Sequence, residues 1–281
     1  MKKIAFTTYT NYPDLTPSDS LLAEAIRSFV DCVPAAWDDP TIGWENFDAV
    51  VIRSTWNYHL KPEAFLSWLD KLDRLNVSVF NDTATVRWNM DKNYLFKMKT
   101  LIVPSFHAQQ QNINDCLDFL SSHNSQKAVL KPFISASANR TVLLDSVSRE
   151  SLSEYLEDTP LLLQPYFPEV ATEGEWSLMF FNGEFSHAVL KQPAGGDFRV
   201  QNDFGGTATI KPAPPQAIAN AKQLLNELES LPLYARVDGI IRNNRFYLME
   251  LELIEPELFI GLIPESAAAF AAALKEKMEV R

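Results

Sequence analysis

Two short runs near the C-terminal end, Arg236-Val-Asp238 and Glu250-Leu-Glu252, place charged residues at alternate positions on either side of Asn243-Asn244. Residues two apart on a strand share a face. An Asn-Asn pair accepts the positive φ angles of a tight hairpin turn, so it would fold the second pair back beside the first. Asp238, Glu250, Glu252 and Arg236 then meet on one sheet face. Burying them without a partner is costly, and a bound cation is one resolution. Oxygen-only donors suit Mg²⁺, with Mn²⁺ as the alternative; Mg²⁺ takes a few carboxylates together with phosphate oxygens. Paired carboxylates also serve glycoside hydrolysis, but a guanidinium beside them belongs better with phosphate handling. The same spacing also describes a solvated hairpin face.

A phosphate site needs cations from elsewhere. Lys92 follows Met90-Asp91 at an expected helix start, and Lys131 ends the apolar run Ala128-Val-Leu130 just before Pro132. Arg199 sits in a loop flanked by Gly195-Gly196 and Gly205-Gly206, where backbone and guanidinium could both approach a ligand. An edge-exposed ammonium and an ordinary hairpin connection are the plainer readings of Lys131 and Arg199. His59, His107, His123 and His187 lack the spacing of a zinc site. No GxSxG or other nucleophile motif occurs.

The elements that must hold these residues can be read from periodicity. Lys3 to Phe6, Val30 to Val33 and Ala49 to Ile52 are apolar runs suited to buried parallel strands. Between them, Leu21-Leu22, Ala25-Ile26 and Phe29 form a helical stripe behind the capping candidates Thr16 and Ser18. Phe65, Trp68-Leu69 and Leu72 form another after Pro62. Asp82 to Leu101 reads as one polar-aromatic helix ending before Pro104. Strands at Ala128 to Phe133, Val142 to Leu144 and Leu161 to Tyr166 enclose a helix near Ser151 to Leu156. Two hairpins follow, Trp176 to Leu190 around Asn182-Gly183 and Tyr234 to Leu253 around Asn243-Asn244. Helices start at Pro214-Pro215 and at about Glu265. The fold class is therefore mixed α/β and α+β, divided as 1–85, 86–165 and 166–281.

The 281 residues include 25 basic and 36 acidic side chains, a net charge of −11 with no basic run, which argues against nucleic acid as a partner. No segment approaches membrane-spanning length. The opening Met1-Lys2-Lys3 is not followed by a signal-type apolar stretch, and Cys32 and Cys116 read as free thiols, so the expected location is cytoplasmic.

Taken in order, Met90-Asp91-Lys92 with Lys97, Val129-Leu-Lys131-Pro132, Leu163-Gln164-Pro-Tyr166, Gly174-Glu175-Trp-Ser, Gly196-Asp-Phe-Arg199, Arg236-Val-Asp238 and Glu250-Leu-Glu252 resemble the ATP-grasp enzymes over about Asp82 to Glu257. The branch is that of glutathione synthetase and the ribosomal-protein glutamate ligases. Arg53-Ser-Thr-Trp-Asn-Tyr58, Trp37-Asp-Asp-Pro40, Phe185-Ser-His-Ala188 and Glu250-Leu-Glu-Leu-Ile-Glu-Pro256 look most like the O-ureido-serine cyclo-ligases of cycloserine biosynthesis.

The resemblance implies an ATP-grasp fold with an N-terminal α/β layer and two α+β subdomains clasping ATP. Its functional implication is an ATP- and Mg²⁺-dependent ligase that activates a carboxylate or related acyl group as an acyl phosphate for attack by an amine-type nucleophile, acting on a small amino-acid-like substrate. Lys92 and Lys131 would contact the nucleotide, Gln164 to Tyr166 would read adenine, and Glu175 and Glu169 the ribose. Asp238, Glu250 and Glu252 would hold Mg²⁺, with Arg199 and Arg236 on the transferring phosphoryl group. Arg53, Thr55, Trp56 and Tyr58 are expected at the acceptor substrate. Two departures stand out. Phe133 to Arg140 holds no glycine where many relatives have a glycine-rich loop, leaving Ser135 and Ser137 as donors, and Glu252 replaces a frequent Asn. The alternative is a catalytically silent ATP-binding module closing around a partner or effector. Dimers are common among such enzymes, so a homodimer is one expected state.

Overall fold

The apolar runs of the first third pair in parallel, as strands covered on both faces do. β1 (Lys2–Thr8) lies between β2 (Val30–Ala36) and β3 (Ala49–Val51), and β4 (Ser78–Phe80), which periodicity did not disclose, completes the order β2-β1-β3-β4. This is a computed structural model that describes residues 1–99, 101–195, 197–201 and 204–279. Helices α1 (Pro17–Ile26) and α2 (Pro62–Arg74) accompany the strands. Thr16 caps α1 by accepting from the Asp19 N–H at 2.9 Å, and Phe29 falls beyond the helix end. The stripe Phe65, Trp68, Leu69 and Leu72 of α2 packs on Trp37 and Trp44. Each such burial contributes about 1.5–3 kcal/mol.

The single helix expected over Asp82 to Leu101 is broken. α3 (Thr83–Met90) stops at Asp91, whose backbone is extended and whose carboxylate accepts from the Asn93 N–H at 2.9 Å, starting 3₁₀ turns over Lys92–Lys97. A short acidic side chain that binds backbone locally competes with helix continuation.

Four antiparallel strands follow: β5 (Phe106–Ala108), β6 (Ala128–Pro132), β7 (Val142–Leu144) and β8 (Leu161–Pro165), in the order β5-β8-β6-β7. They are backed by α4 (Ile113–Ser122) and α5 (Arg149–Leu156). β5 and α4 were not read from the sequence. After the one-turn α6 (Glu169–Thr172) comes the largest sheet, made of β9 (Glu175–Phe181), β10 (Glu184–Gln192), β11 (Thr207–Ile210), β12 (Tyr234–Arg242) and β13 (Arg245–Glu252), ordered β11-β10-β9-β12-β13. Both hairpin turns take the expected left-handed angles, at Asn182 and Gly183 and at Asn243 and Asn244. α7 (Pro215–Leu225) packs on this sheet, and α8 (Ala267–Glu279) wedges Phe270 edge-on between Phe6 and Phe181, tying the first sheet to the largest.

An edge strand presents open backbone groups, and β13 would be such an edge. Its groups are instead taken by the preceding segments. Val103 N–H donates to Leu248 O and Leu248 N–H to Leu101 O. The Tyr94 hydroxyl accepts from the Leu251 N–H at 2.8 Å, Asn89 bridges Leu251 O and the Leu253 N–H, and Asn81 donates to Leu253 O. The strand carrying Glu250 and Glu252 is therefore clamped along its outer side.

Candidate active site

A cleft of about 440 Å³ opens between the second and third sheets. β6 and β8 contribute Lys131 and Gln164. β9, β10, β12 and β13 contribute Glu175, Lys191, Arg236, Asp238, Glu250 and Glu252, and Trp56 and Tyr58 enter from the first layer. Of the residues singled out from the sequence, Lys92, Ser135, Ser137, Tyr166 and Arg199 line the same cleft.

Hairpin register explains the acidic wall. Arg236 lies opposite Glu252, and Asp238 opposite Glu250. The resulting charges do not stand as a bare carboxylate cluster. Asp238 accepts from Ser177 Oγ at 2.7 Å and from Lys191 Nζ at 2.8 Å, and it chelates the Arg236 guanidinium at 3.0–3.1 Å. Lys191 also lies 2.5 Å from Glu175, Lys92 lies 3.1 Å from Glu250, and Arg236 pairs with Glu252. Burial pushes the Asp238 carboxyl up, but Arg236 and Lys191 outweigh it and hold it well below the usual carboxylate range. Glu250 is lowered in the same way, with Lys92 and Lys131 overcoming burial. Glu252 goes the other way. Burial, joined by the charges of Asp238, Glu250 and Glu255 and resisted by Arg236, raises it to about 8.

These acids are thus paired within the protein, Glu250 with Lys92, Glu175 and Asp238 with Lys191, and Asp238 and Glu252 with Arg236. Lys191 was missed by the sequence reading. The signal that marked Lys131, a lysine closing an apolar strand, is repeated in Ala188-Val-Leu-Lys191 and would have found it.

The basic side rests on Lys92 and Lys131, both buried. Lys92 Nζ donates to Ser135 O at 2.8 Å and Ser135 Oγ at 3.0 Å, pinning the loop that follows β6. Lys131 makes no ion pair among the described residues, and burial with the nearby Lys92 charge lowers its pKa. Without glycine, the loop reaches left-handed backbone angles at Ser137, Ala138 and Arg140. Its tip is joined to the first layer where Asn139 Nδ2 meets His59 Nε2 at 3.0 Å. Gln164 is buried with its amide bound to Ser105 Oγ at 2.9 Å. Val129, Tyr166, Phe167, Val170 and Met249 supply apolar walls suited to a flat heteroaromatic ring. Gly174, just before Glu175, has φ +95°, and a Cβ there would stand 2.7 Å from Lys191 O, so glycine is required for β9 and β10 to meet.

Three expected site residues lie elsewhere. Arg53 is buried in a tie between layers, donating to Asp19 Oδ1 at 2.8 Å and to Pro256 O at 3.0 Å over the Tyr234 ring, because only a buried carboxylate and carbonyl balance its charge there. Thr55 is wholly buried and does not reach the cleft. Glu169, on α6, turns to Arg242 at 3.2 Å. Arg199 reaches the cleft but is held by Asp197 at 2.8 Å and lies 3.5 Å from the Phe204 ring centroid. Gly196 lies outside the described residues.

Asp238, Glu250 and Glu252 offer hard oxygen donors on neighbouring strands. Among the described residues no three acidic, histidine or cysteine side chains are grouped to hold a metal by themselves. That donor set fits Mg²⁺, which is usually held by one or two carboxylates and completed by substrate phosphate oxygens rather than caged by protein.

This fold is that of the ATP-grasp ligases. A Chryseobacterium gregarium RiPP-associated ATP-grasp ligase, in complex with ADP and a leader and core peptide, shares the fold with TM-score 0.71 at 14% identity, over 99% of this chain and 97% of that one. Within the class, the chain is similar to D-cycloserine synthetase DcsG: its crystal structure matches with TM-score 0.85 at 25% identity, covering 98% of this chain and 99% of that one. The cycloserine biosynthesis protein DcsG of Streptomyces lavendulae is 28% identical over 286 residues, 92% of this chain and 93% of that protein. The family of the D-cycloserine synthetase DcsG N-terminal domain matches residues 4–81. Glutathione synthetase of Prochlorococcus marinus subsp. pastoris is 28% identical over 146 residues, 50% of this chain and 46% of the synthetase.

Proposed function

We propose that this ligase uses ATP and Mg²⁺ to join a carboxylate and an amine-type nitrogen on a small amino-acid-like substrate, releasing ADP and phosphate. The observation that carries the reading is the alternation of Lys92, Glu250, Lys191, Asp238 and Arg236 in a cleft that also carries the buried Lys131 and the apolar surfaces of Val129, Tyr166, Phe167 and Val170. Segments 1–85, 86–165 and 166–281 serve as acceptor-side layer, nucleotide wall and charged wall.

In this reading Tyr166 and the backbone at Gln164 meet the adenine edge, and Glu175 the ribose. Lys92, Lys131, Ser135 and Ser137 grip the phosphate chain. A substrate carboxylate oxygen attacks the γ-phosphorus while the bond to ADP breaks, and Arg236 and Arg199 stabilise the charge on the transferring group. The nitrogen then attacks the acyl carbon, phosphate leaves, and a proton is lost from nitrogen. Such chemistry asks the protein for positioning and charge neutralisation and needs no side-chain nucleophile. Mg²⁺ held by Glu250, Glu252 and Asp238 would supply Lewis-acid neutralisation of phosphate oxygens.

No described helix is long and apolar enough to cross a membrane, and the partner expected is a small molecule. The test is a screen of O-ureido-serine, amino acids and dipeptides for stimulated ADP release, with mass detection of product. ATP binding without ADP release from any member would favour the silent nucleotide-binding module.

A further inference from the structure

We infer that Glu255 selects substrates carrying a primary ammonium group, receiving that group at the end of the cleft nearest the N-terminal layer; this rests on the ligase reading above. The cleft is lined by six carboxylates, and their partners separate them. Glu175, Asp238, Glu250 and Glu252 are each ion-paired to Lys92, Lys191 or Arg236. Glu257 Oε1 accepts from Ser18 Oγ at 2.9 Å and from the Phe259 N–H at 2.7 Å. Glu255 differs. Among the described residues its carboxylate makes no ion pair, whereas the other acids of the cleft are held by named partners.

The Glu255 backbone is fixed. Trp56 Nε1 donates to Glu255 O at 3.3 Å, Arg53 holds Pro256 O at 3.0 Å, and Arg236 holds Glu257 O at 3.1 Å. The chain is thus clamped on both sides of a half-buried carboxylate that faces the cleft beside Tyr58. Trp56, Tyr58 and Phe259 line the same cleft. A carboxylate without an ion-pair partner, in a cleft that also carries aromatic side chains, is the chemistry that receives an ammonium, through a charge-assisted hydrogen bond. The nucleotide gives no such group. Its phosphates are anionic, its adenine is neutral, and Mg²⁺ is assigned above to Asp238, Glu250 and Glu252, so a cation at Glu255 belongs to the second substrate.

The position also separates specificity from chemistry. Glu255 follows the charged wall and is bound to the first layer through Trp56, whereas Gln164 and Tyr166 lie on or just beyond β8 in the second sheet. A residue there changes affinity for the amino-acid-like substrate and leaves nucleotide affinity in place.

The experiment uses the full chain with ATP and Mg²⁺ and a panel of O-ureido-serine, serine and alanine, each also N-acetylated and in the deaminated form. ADP release is measured for the wild type, Glu255→Gln and Glu255→Asp. A lost hydrogen bond between charged groups corresponds to about a 10- to 100-fold effect. Expected are a rise of that size in KM for the free amine in Glu255→Gln, partial rescue in Glu255→Asp, ATP KM within about twofold of wild type, and poor use of the N-acetyl and deaminated forms by wild type. Equal use of the free and N-acetylated forms overturns the inference and leaves the ligase reading standing. An unchanged amine KM in Glu255→Gln, or a parallel rise in ATP KM, also overturns it. ADP release from no member of the panel overturns both.

Discussion

Lys191 reaches across the intervening strand β9 to place its ammonium 2.8 Å from Asp238 Oδ2, joining β10 to β12 over the floor of the cleft. Both side chains are buried, at 7% and 4% exposure. Removing Lys191 leaves Asp238 to Arg236 and takes from Glu175 its ion-pair partner, and an uncompensated buried charge costs about 3–5 kcal/mol. Lys191→Met should therefore lower the urea midpoint by that equivalent and also stop ADP release. A variant with wild-type stability would show that Glu175 is neutralised without Lys191.

Glu250→Gln is the corresponding test of the charged wall's chemistry. The change keeps shape and removes the charge facing Lys92 at 3.1 Å. ADP release should fall by at least about a hundredfold, the scale on which loss of one charge-stabilising group acts, while the far-ultraviolet circular dichroism spectrum stays native. Full activity would remove Glu250 from the metal assignment.

How much of this was legible in the sequence differs by kind of signal. Hairpins at Asn182-Gly183 and Asn243-Asn244 were readable because the left-handed turn demands those residues, but the register that sets Asp238 against Glu250 also needs the irregularity between Asp238 and Gly239, without which the turn would set Asp238 against Met249. Short strands without strong alternation, β4, β5 and β11, were not, since three or four residues carry no period and their pairing comes from neighbours far along the chain. The cleft roles of Lys92 and Lys131 came from motif order. What local sequence could not show was charge pairing across strands, so the acids appeared with Arg236 but without the Lys191 that pairs with Asp238 and Glu175. Arg53 was misplaced for the same reason: its partner Asp19 is 34 positions away.

Arg53→Leu separates structure from substrate contact. Arg53 Nε donates to Asp19 at 2.8 Å with both side chains at 3% exposure or less, and Ser54 Oγ donates to the other Asp19 oxygen. Loss of the guanidinium leaves Asp19 buried and charged, so stability should drop by about 3–5 kcal/mol. The folded fraction at low temperature should keep its KM for the amino-acid-like substrate. A rise in that KM without loss of stability would return Arg53 to the acceptor site.

Stability without Mg²⁺ should depend on pH through Glu252. Burial raises its folded pKa from 4.5 to about 8, and that of Glu255 to about 7. Between 4.5 and these values the folded chain holds protons that the unfolded chain has released, so stability falls as pH rises through the window. Half-buried His59 and buried His187, both lowered, act with the opposite sign below 6.5. Comparison with Glu252→Gln isolates the carboxylate: urea midpoints from pH 5 to 8 in chelator should decline more steeply in wild type than in the variant. Parallel curves would show that Glu252 is ionised throughout.

Ala138 shows how a loop without glycine takes its shape. Its φ is +55°, in the left-handed region that costs a residue with a Cβ about 1–2 kcal/mol. The conformation is imposed from outside. Lys92 fixes Ser135 at one end, the Asn139 N–H donates to Ala136 O, and Asn139 is joined to His59. Glycine at this position removes the steric cost but gives the unfolded chain more freedom, which returns about 0.4–1 kcal/mol. The steric gain is the larger, so Ala138→Gly should stabilise the protein by about 0.5–1 kcal/mol, seen as a higher Tm. Because Ala138 lines the cleft, ATP KM is the second readout. An unchanged KM with higher Tm assigns the left-handed turn to loop shape alone, and a lower Tm would show that the loop does not hold this backbone in solution.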